Sequence, residues 1–188
     1  MVLLIDNYDG CVYNIYQLIG SVNPDVKRVR NDRITPEEIE AMKPSHIVIS
    51  GGSIPADRAV EDMDIVKKLQ GKVPIFGICL GHRAICTAFG GKESHLEQIR
   101  QGKVEDITLD NHCPLFKGLP GTIKGMLYHS TTVAEKDLPQ CMEVTARSAD
   151  GDVMGVHLKG TDVYGIQFHP ESFLAEYGVE IMRNFLEL

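Results

Sequence analysis

Short apolar runs alternate with amphipathic stretches through the first half of the chain. Val2-Leu3-Leu4-Ile5 reads as a buried strand, and Val12, Ile15, Tyr16 and Ile19 then recur at helical spacing. Val26 to Val29 is a second strand. Thr35-Pro36-Glu37-Glu38 marks a helix start, with Thr35 as cap, Pro36 in the first turn and Glu38 placed to close a capping box. His46 to Ile49 is a third strand, ending at Ser50-Gly51-Gly52. Val60, Met63, Val66 and Leu69 predict the next helix. Pro74 to Ile78 is a fourth strand, and the helix from Leu80 to about Phe89 is stopped by Gly90-Gly91. This alternation predicts an α/β fold, an open and mostly parallel twisted sheet flanked by helices.

The second half is richer in strands: Val104 to Leu109, Ile123 to Tyr128, Met142 to Arg147, Val153 to His157 and Val163 to Phe168. These predict a small antiparallel extension and a return strand to the main sheet. A last helix carrying Val179, Met182 and Phe185 closes the chain. No linker interrupts the pattern, so residues 1–188 read as a single domain.

Charge narrows the functional classes. The formal net charge of -7 disfavours nucleic acid as a partner, because such binding needs basic groups to displace counterions. Five cysteines (Cys11, Cys79, Cys86, Cys113 and Cys141) are dispersed and form no CxxC pair, which predicts reduced thiols rather than a zinc ribbon or disulfide framework. No cluster has metal-ligand spacing, and neither metal nor cofactor is expected. The opening residues lack a signal-peptide pattern and no apolar run reaches membrane-spanning length, so a cytoplasmic protein without a membrane partner is expected.

The sharpest local feature is Gly77-Ile78-Cys79-Leu80-Gly81. It has the spacing of a nucleophile elbow, with sulfur replacing oxygen. A strand that turns abruptly into a helix exposes the central side chain and leaves no room for side chains two positions to either side. Cys79 then lies at a helix N-terminus, which favours a thiolate, and the Leu80 amide is placed to receive an oxyanion. His169 follows the strand Val163 to Phe168, so it belongs to the same carboxyl edge of the sheet as Cys79. Glu171 can orient the imidazole and stabilise its cation. Gly52 is a candidate second oxyanion donor. Each piece has a plainer reading: a buried thiol, a turn histidine, a simple turn. Together they read as a Cys-His-Glu triad. His82 reads as a packing residue, His129 as shaping the pocket or a partner face, and Asp6 to Asp9 as loop or interface groups.

The chain resembles the class I glutamine amidotransferases over nearly its whole length, and is most similar to the small subunits of anthranilate and aminodeoxychorismate synthases. The resemblance is carried by Leu4-Ile5-Asp6-Asn7-Tyr8-Asp9, Arg30-Asn31-Asp32, Gly77 to His82, Phe89-Gly90-Gly91-Lys92, Tyr128-His129-Ser130, Glu143-Val144-Thr145-Ala146 and Gly165 to Ser172. It implies a flavodoxin-like fold and hydrolysis of L-glutamine to glutamate and ammonia by Cys79, His169 and Glu171. Gly52 and Leu80 would supply oxyanion donors, and Ser130 and Thr131 would hold the amino-acid end of glutamine through their backbone. Ammonia would pass to a larger chorismate-binding synthase subunit on a separate polypeptide.

Three segments depart from the family pattern. The usual Ser-Pro-Gly-Pro-Gly reads Ser50-Gly51-Gly52-Ser53-Ile54, a glutamine that helps hold substrate is replaced by Arg83, and Ser-Phe near the start becomes Gly10-Cys11. Ile54 is poorly suited to positive φ, and the Arg83 charge alters the pocket. These departures leave alternatives: an amidotransferase for another synthetase, a γ-glutamyl hydrolase, or a non-catalytic regulatory subunit.

Overall fold

A computed structural model describes the backbone of residues 1–188 and every side chain but that of Glu97. The apolar runs of the first half become β1 (Val2–Asp6), β2 (Val26–Arg30), β3 (His46–Ile49) and β4 (Ile75–Ile78). Between them lie α1 (Val12–Val22), α2 (Pro36–Met42), α3 (Val60–Leu69) and α4 (Leu80–Ala88). The second half supplies β5 (Glu93–Leu109), β6 (Thr122–Val133), β7 (Met142–Ser148), β8 (Val153–Leu158), β9 (Val163–Ile166) and α5 (Gly178–Leu186).

All strands join one nine-stranded sheet in the order β2-β1-β3-β4-β9-β8-β7-β5-β6. Pairing is parallel from β2 through β9 and antiparallel from there to β6. β9 is the expected return strand, with Gly77 paired to Gly165 and Ile78 to Ile166. The parallel strands β1, β3, β4 and β9 are almost wholly buried, as strands covered by helices on both faces must be. One core, containing Ile15, Ile19, Phe76 and Phe185, lies beneath α1 and α5. A second, containing Ile39, Ile65, Leu69 and Ile85, lies beneath α2, α3 and α4 on the opposite face.

The α2 capping box is complete. The Glu38 amide donates to Thr35 Oγ1 at 3.2 Å and the Thr35 amide to Glu38 Oε2 at 2.8 Å. Three helix faces differ from the apolar spacing, one of them α5, where Val179 is exposed while Met182 and Phe185 are buried. In α1, Tyr16 is exposed while Val12, Ile15 and Ile19 are buried. In α3 the buried face is Asp62, Ile65, Val66 and Leu69, and Val60 points outward. β5 starts at Glu93, well before the apolar segment Val104 to Leu109, because its polar first half pairs with β6 as an arm beside α4.

Candidate functional site

β1, β3, β4 and β9 all end on one edge of the sheet, and the segments leaving them surround a cavity of about 1100 Å³. Asp9 follows β1, Gly52 to Pro55 follow β3, Cys79 follows β4 and His169 follows β9; all line the cavity. Arg83 from α4, Glu93 to His95 from β5 and Tyr128 to Thr131 from β6 form the other side. Parallel strands place their following loops on this edge, where open α/β sheets bind ligands.

Cys79 adopts φ 53° and ψ -100°, a strained conformation for a non-glycine residue. Its flanking glycines are required by contact. A Cβ on Gly77 would lie 2.5 Å from the Gly81 carbonyl group, and one on Gly81 would lie 2.5 Å from the Ile49 carbonyl oxygen. Gly52 is constrained in the same way, since its Cβ would approach Leu80 Cδ2 to 2.6 Å. The amides of Gly52 and Leu80 donate no hydrogen bond among the described residues. Ile54 is not among the residues with positive φ, so the loop needs no glycine there. Ile54 is exposed at the cavity rim beside Ser53.

His169 Nδ1 lies 2.6 Å from Glu171 Oε1, and both side chains are nearly inaccessible. The other ring nitrogen, Nε2, is buried and has no hydrogen-bond partner among the described residues. Burial opposes charge on Cys79 and on His169, but their mutual interaction prevails. It holds the Cys79 thiol below its ordinary value, with the Arg83 charge assisting, and holds His169 well above its own, with Glu171 assisting. Both shifts favour the thiolate–imidazolium form of the pair over the neutral one.

Two further groups approach the pair. Gln167, fully buried, donates from Nε2 to Cys79 Sγ at 3.5 Å. Asp9 stands behind Gly51, whose Cβ would lie 2.9 Å from Asp9 Oδ2 and 3.4 Å from His169 Cε1. Burial raises the Asp9 carboxyl, opposed by the Cys11 amide and the His169 charge. Neither contact is legible in sequence: Gln167 looks like a strand residue, and Asp9 like a loop or interface group.

The Arg83 charge is not free in the pocket. Its guanidinium is paired with Glu93 and also donates to Thr131 Oγ1, and Glu93 Oε2 accepts the Ala56 amide at 2.8 Å. This buried pair ties α4 to the loop after Gly52 and to β6. Sequence reasoning missed Glu93, which lies in a polar stretch of no distinctive pattern. Ser130 falls where the β5–β6 register is interrupted, between the pairs His95–Thr131 and Arg100–His129. His82 and His129 are each pushed down to about 3, first by burial and then by the Arg83 charge, and are neutral at physiological pH. His82 packs against Gly165, where a Cβ would lie 2.9 Å from its Nδ1.

Comparison with known proteins gives the family. The family profile "Glutamine amidotransferase class-I" matches residues 3–188. The bifunctional protein TrpGD of Thermotoga maritima is 47% identical over 189 residues, covering 100% of this chain and 32% of that protein. The aminodeoxychorismate/anthranilate synthase component 2 of Bacillus subtilis is 40% identical over 187 residues, covering 100% of this chain and 96% of that one. The chain therefore spans about a third of the first relative and nearly all of the second. A solved structure from Thermoplasma acidophilum, of a protein provisionally assigned to a GMP synthase, has a TM-score of 0.88 and 26% identity, covering 99% of this chain and 92% of that one.

Proposed function

The chain belongs to the class I glutamine amidotransferases, and we propose that residues 1–188 form one domain that hydrolyses L-glutamine and delivers ammonia to a chorismate-using synthase subunit. The observation that carries the chemistry is the meeting of Cys79 with the His169–Glu171 pair at one cavity edge. The Cys79 thiolate attacks the carboxamide carbon, and the carbonyl electron pair moves onto oxygen. The Gly52 and Leu80 amides receive that oxyanion. His169 gives its Nε2 proton to the nitrogen, the C–N bond breaks and ammonia leaves. Water then attacks the γ-glutamyl thioester while His169 takes its proton. Collapse expels the Cys79 thiolate and releases glutamate. Glu171 keeps His169 in the orientation and tautomer that these transfers need.

The cavity wall opposite the triad suits the zwitterionic end of glutamine. Ser130, at the interruption of the β5–β6 ladder, and its neighbour Thr131 line this wall, the mutually paired Arg83 and Glu93 stiffen it, and Ser53 and Ile54 border the entrance. Acceptor and partner are inferred from the Bacillus subtilis relative, a synthase component 2. Just beyond Glu171 in the chain, Leu174 and above all Phe173, which is 91% exposed, present apolar surface suited to a docked protein. No helix is long and apolar enough to cross a membrane; a cytoplasmic location is part of the proposal. Glutamate release from glutamine, with and without a chorismate-binding synthase subunit, tests the reading. Partner-stimulated turnover that disappears in Cys79→Ala is expected. A confirmed complex without turnover would refute it.

A further inference from the structure

Behind Gly52 lies a buried polar chain that the reaction steps do not use. Asp62, on the inner face of α3, is wholly inaccessible, and Asn7 and Ser50 are buried beside it. Asn7 Nδ2 donates to Asp62 Oδ2 at 2.7 Å and to the Ser50 carbonyl at 3.1 Å. The Asn7 amide donates to Ser50 Oγ at 3.0 Å, and that hydroxyl donates onward to the Gly51 carbonyl at 3.0 Å. The Ser50 carbonyl also receives the Gly81 amide at 3.2 Å, so one oxygen joins this chain to the elbow helix. A Cβ on Gly52 would lie 3.1 Å from Asn7 Cβ and 3.2 Å from the Asn7 carbonyl oxygen; Gly52 rests on Asn7.

The side-chain amide of Asn7 has two hydrogens and uses one on each acceptor. Only a group accepting from the α3 side holds it in that orientation. With Asp62 removed, the amide is free to turn and set its oxygen against the Ser50 carbonyl, which repels it. Burying an acid costs free energy that an apolar residue at this helix position would avoid. We propose that Asp62 is a positioning residue which, through Asn7, fixes the Ser50–Gly52 backbone and aims the Gly52 amide at the developing oxyanion. This rests on the reading of Gly52 as an oxyanion donor.

The test separates chemistry that forms an oxyanion from chemistry that does not. Glutamine hydrolysis is measured in the complex with the synthase subunit, and iodoacetamide alkylation of Cys79 is followed by peptide mapping. Alkylation is a direct displacement on the thiolate and builds no tetrahedral oxyanion. Asp62→Leu is expected to lower kcat about tenfold to a hundredfold, with KM and the alkylation rate nearly unchanged. Asp62→Asn, which can still accept from Asn7, restores most of kcat. Asn7→Ala lowers kcat similarly, and the double variant falls no further than the worse single one. If Asp62→Leu does not fold, Asp62→Ser carries the same comparison. Unchanged kcat, an effect on KM alone, or an equal loss of alkylation would overturn the proposal. Absence of glutamine turnover by the wild-type complex would instead remove the premise, and the proposal with it.

Discussion

At Cys79 two influences oppose each other: burial disfavours a thiolate, and the neighbouring imidazole of His169 favours it. The outcome sets a pH dependence with a definite sign. As pH falls through the lowered Cys79 value, the thiolate is protonated and activity is lost; as pH rises through the raised His169 value, the proton needed by the leaving ammonia is lost. Alkylation of Cys79 should persist below the pH at which a free thiol stops reacting, and His169→Gln should move that limit upward. An unmoved limit would mean that His169 does not set the thiol's charge. The Arg83–Glu93 pair makes a second prediction. Removing one partner leaves a buried charge, so Arg83→Met should cost about 3 kcal/mol or more in urea unfolding, and adding Glu93→Leu should recover much of it. A purely additive double variant would show that the pair is not coupled. The elbow and the order Cys79, His169, Glu171 were legible because each has a local signature. Glu93, Gln167 and Asp9 were not, because their significance comes only from what they face.

At the scale of elements, α3 shows how one cross-element bond alters a helix face. Apolar spacing predicts Val60 and Met63 on the inner side, yet Asp62 is buried and Val60 exposed, with Asn7 at the end of β1 supplying Asp62's partner. Burial raises the Asp62 carboxyl to about 7 from an ordinary 3.8, against the Asn7 hydrogen bond and with the Glu61 charge assisting. The native state thus holds a proton that the unfolded chain releases. This contribution to stability is complete below the unfolded value and is lost as pH rises through the folded one. Asp62→Asn, which does not titrate, should therefore gain stability relative to wild type between about pH 4 and pH 8, by up to about 4 kcal/mol. Chemical unfolding at several pH values measures this, and parallel curves would contradict it. Similar reasoning applies to the turn from β4 into α4. Gly81→Ala places a methyl group against the Ile49 carbonyl and should cost about 1–3 kcal/mol, with loss of turnover. A variant as stable and active as wild type would show that the contact relaxes freely.

Over the whole molecule, the parallel half carries Cys79, His169 and Glu171, and the antiparallel half supplies the opposite cavity wall through β5 and β6. The exposed Phe173, just beyond Glu171, connects the site to the proposed partner surface. Phe173→Asp should weaken the complex about tenfold or more while leaving Cys79 alkylation intact; unchanged affinity would move the interface elsewhere. The sequence alone determined the βα alternation, the return strand, the glycine-flanked turn at Cys79 and the adjacency of His169 and Glu171, because backbone periodicity and local sterics act between residues close in the chain. The tertiary structure decided the direction in which Cys79 and His169 are shifted, the pairing of Arg83 with Glu93, the burial of Asp62 and the convergence of four strand ends on one cavity. Those outcomes depend on desolvation and on contacts between distant segments, which come into being only when the sheet assembles.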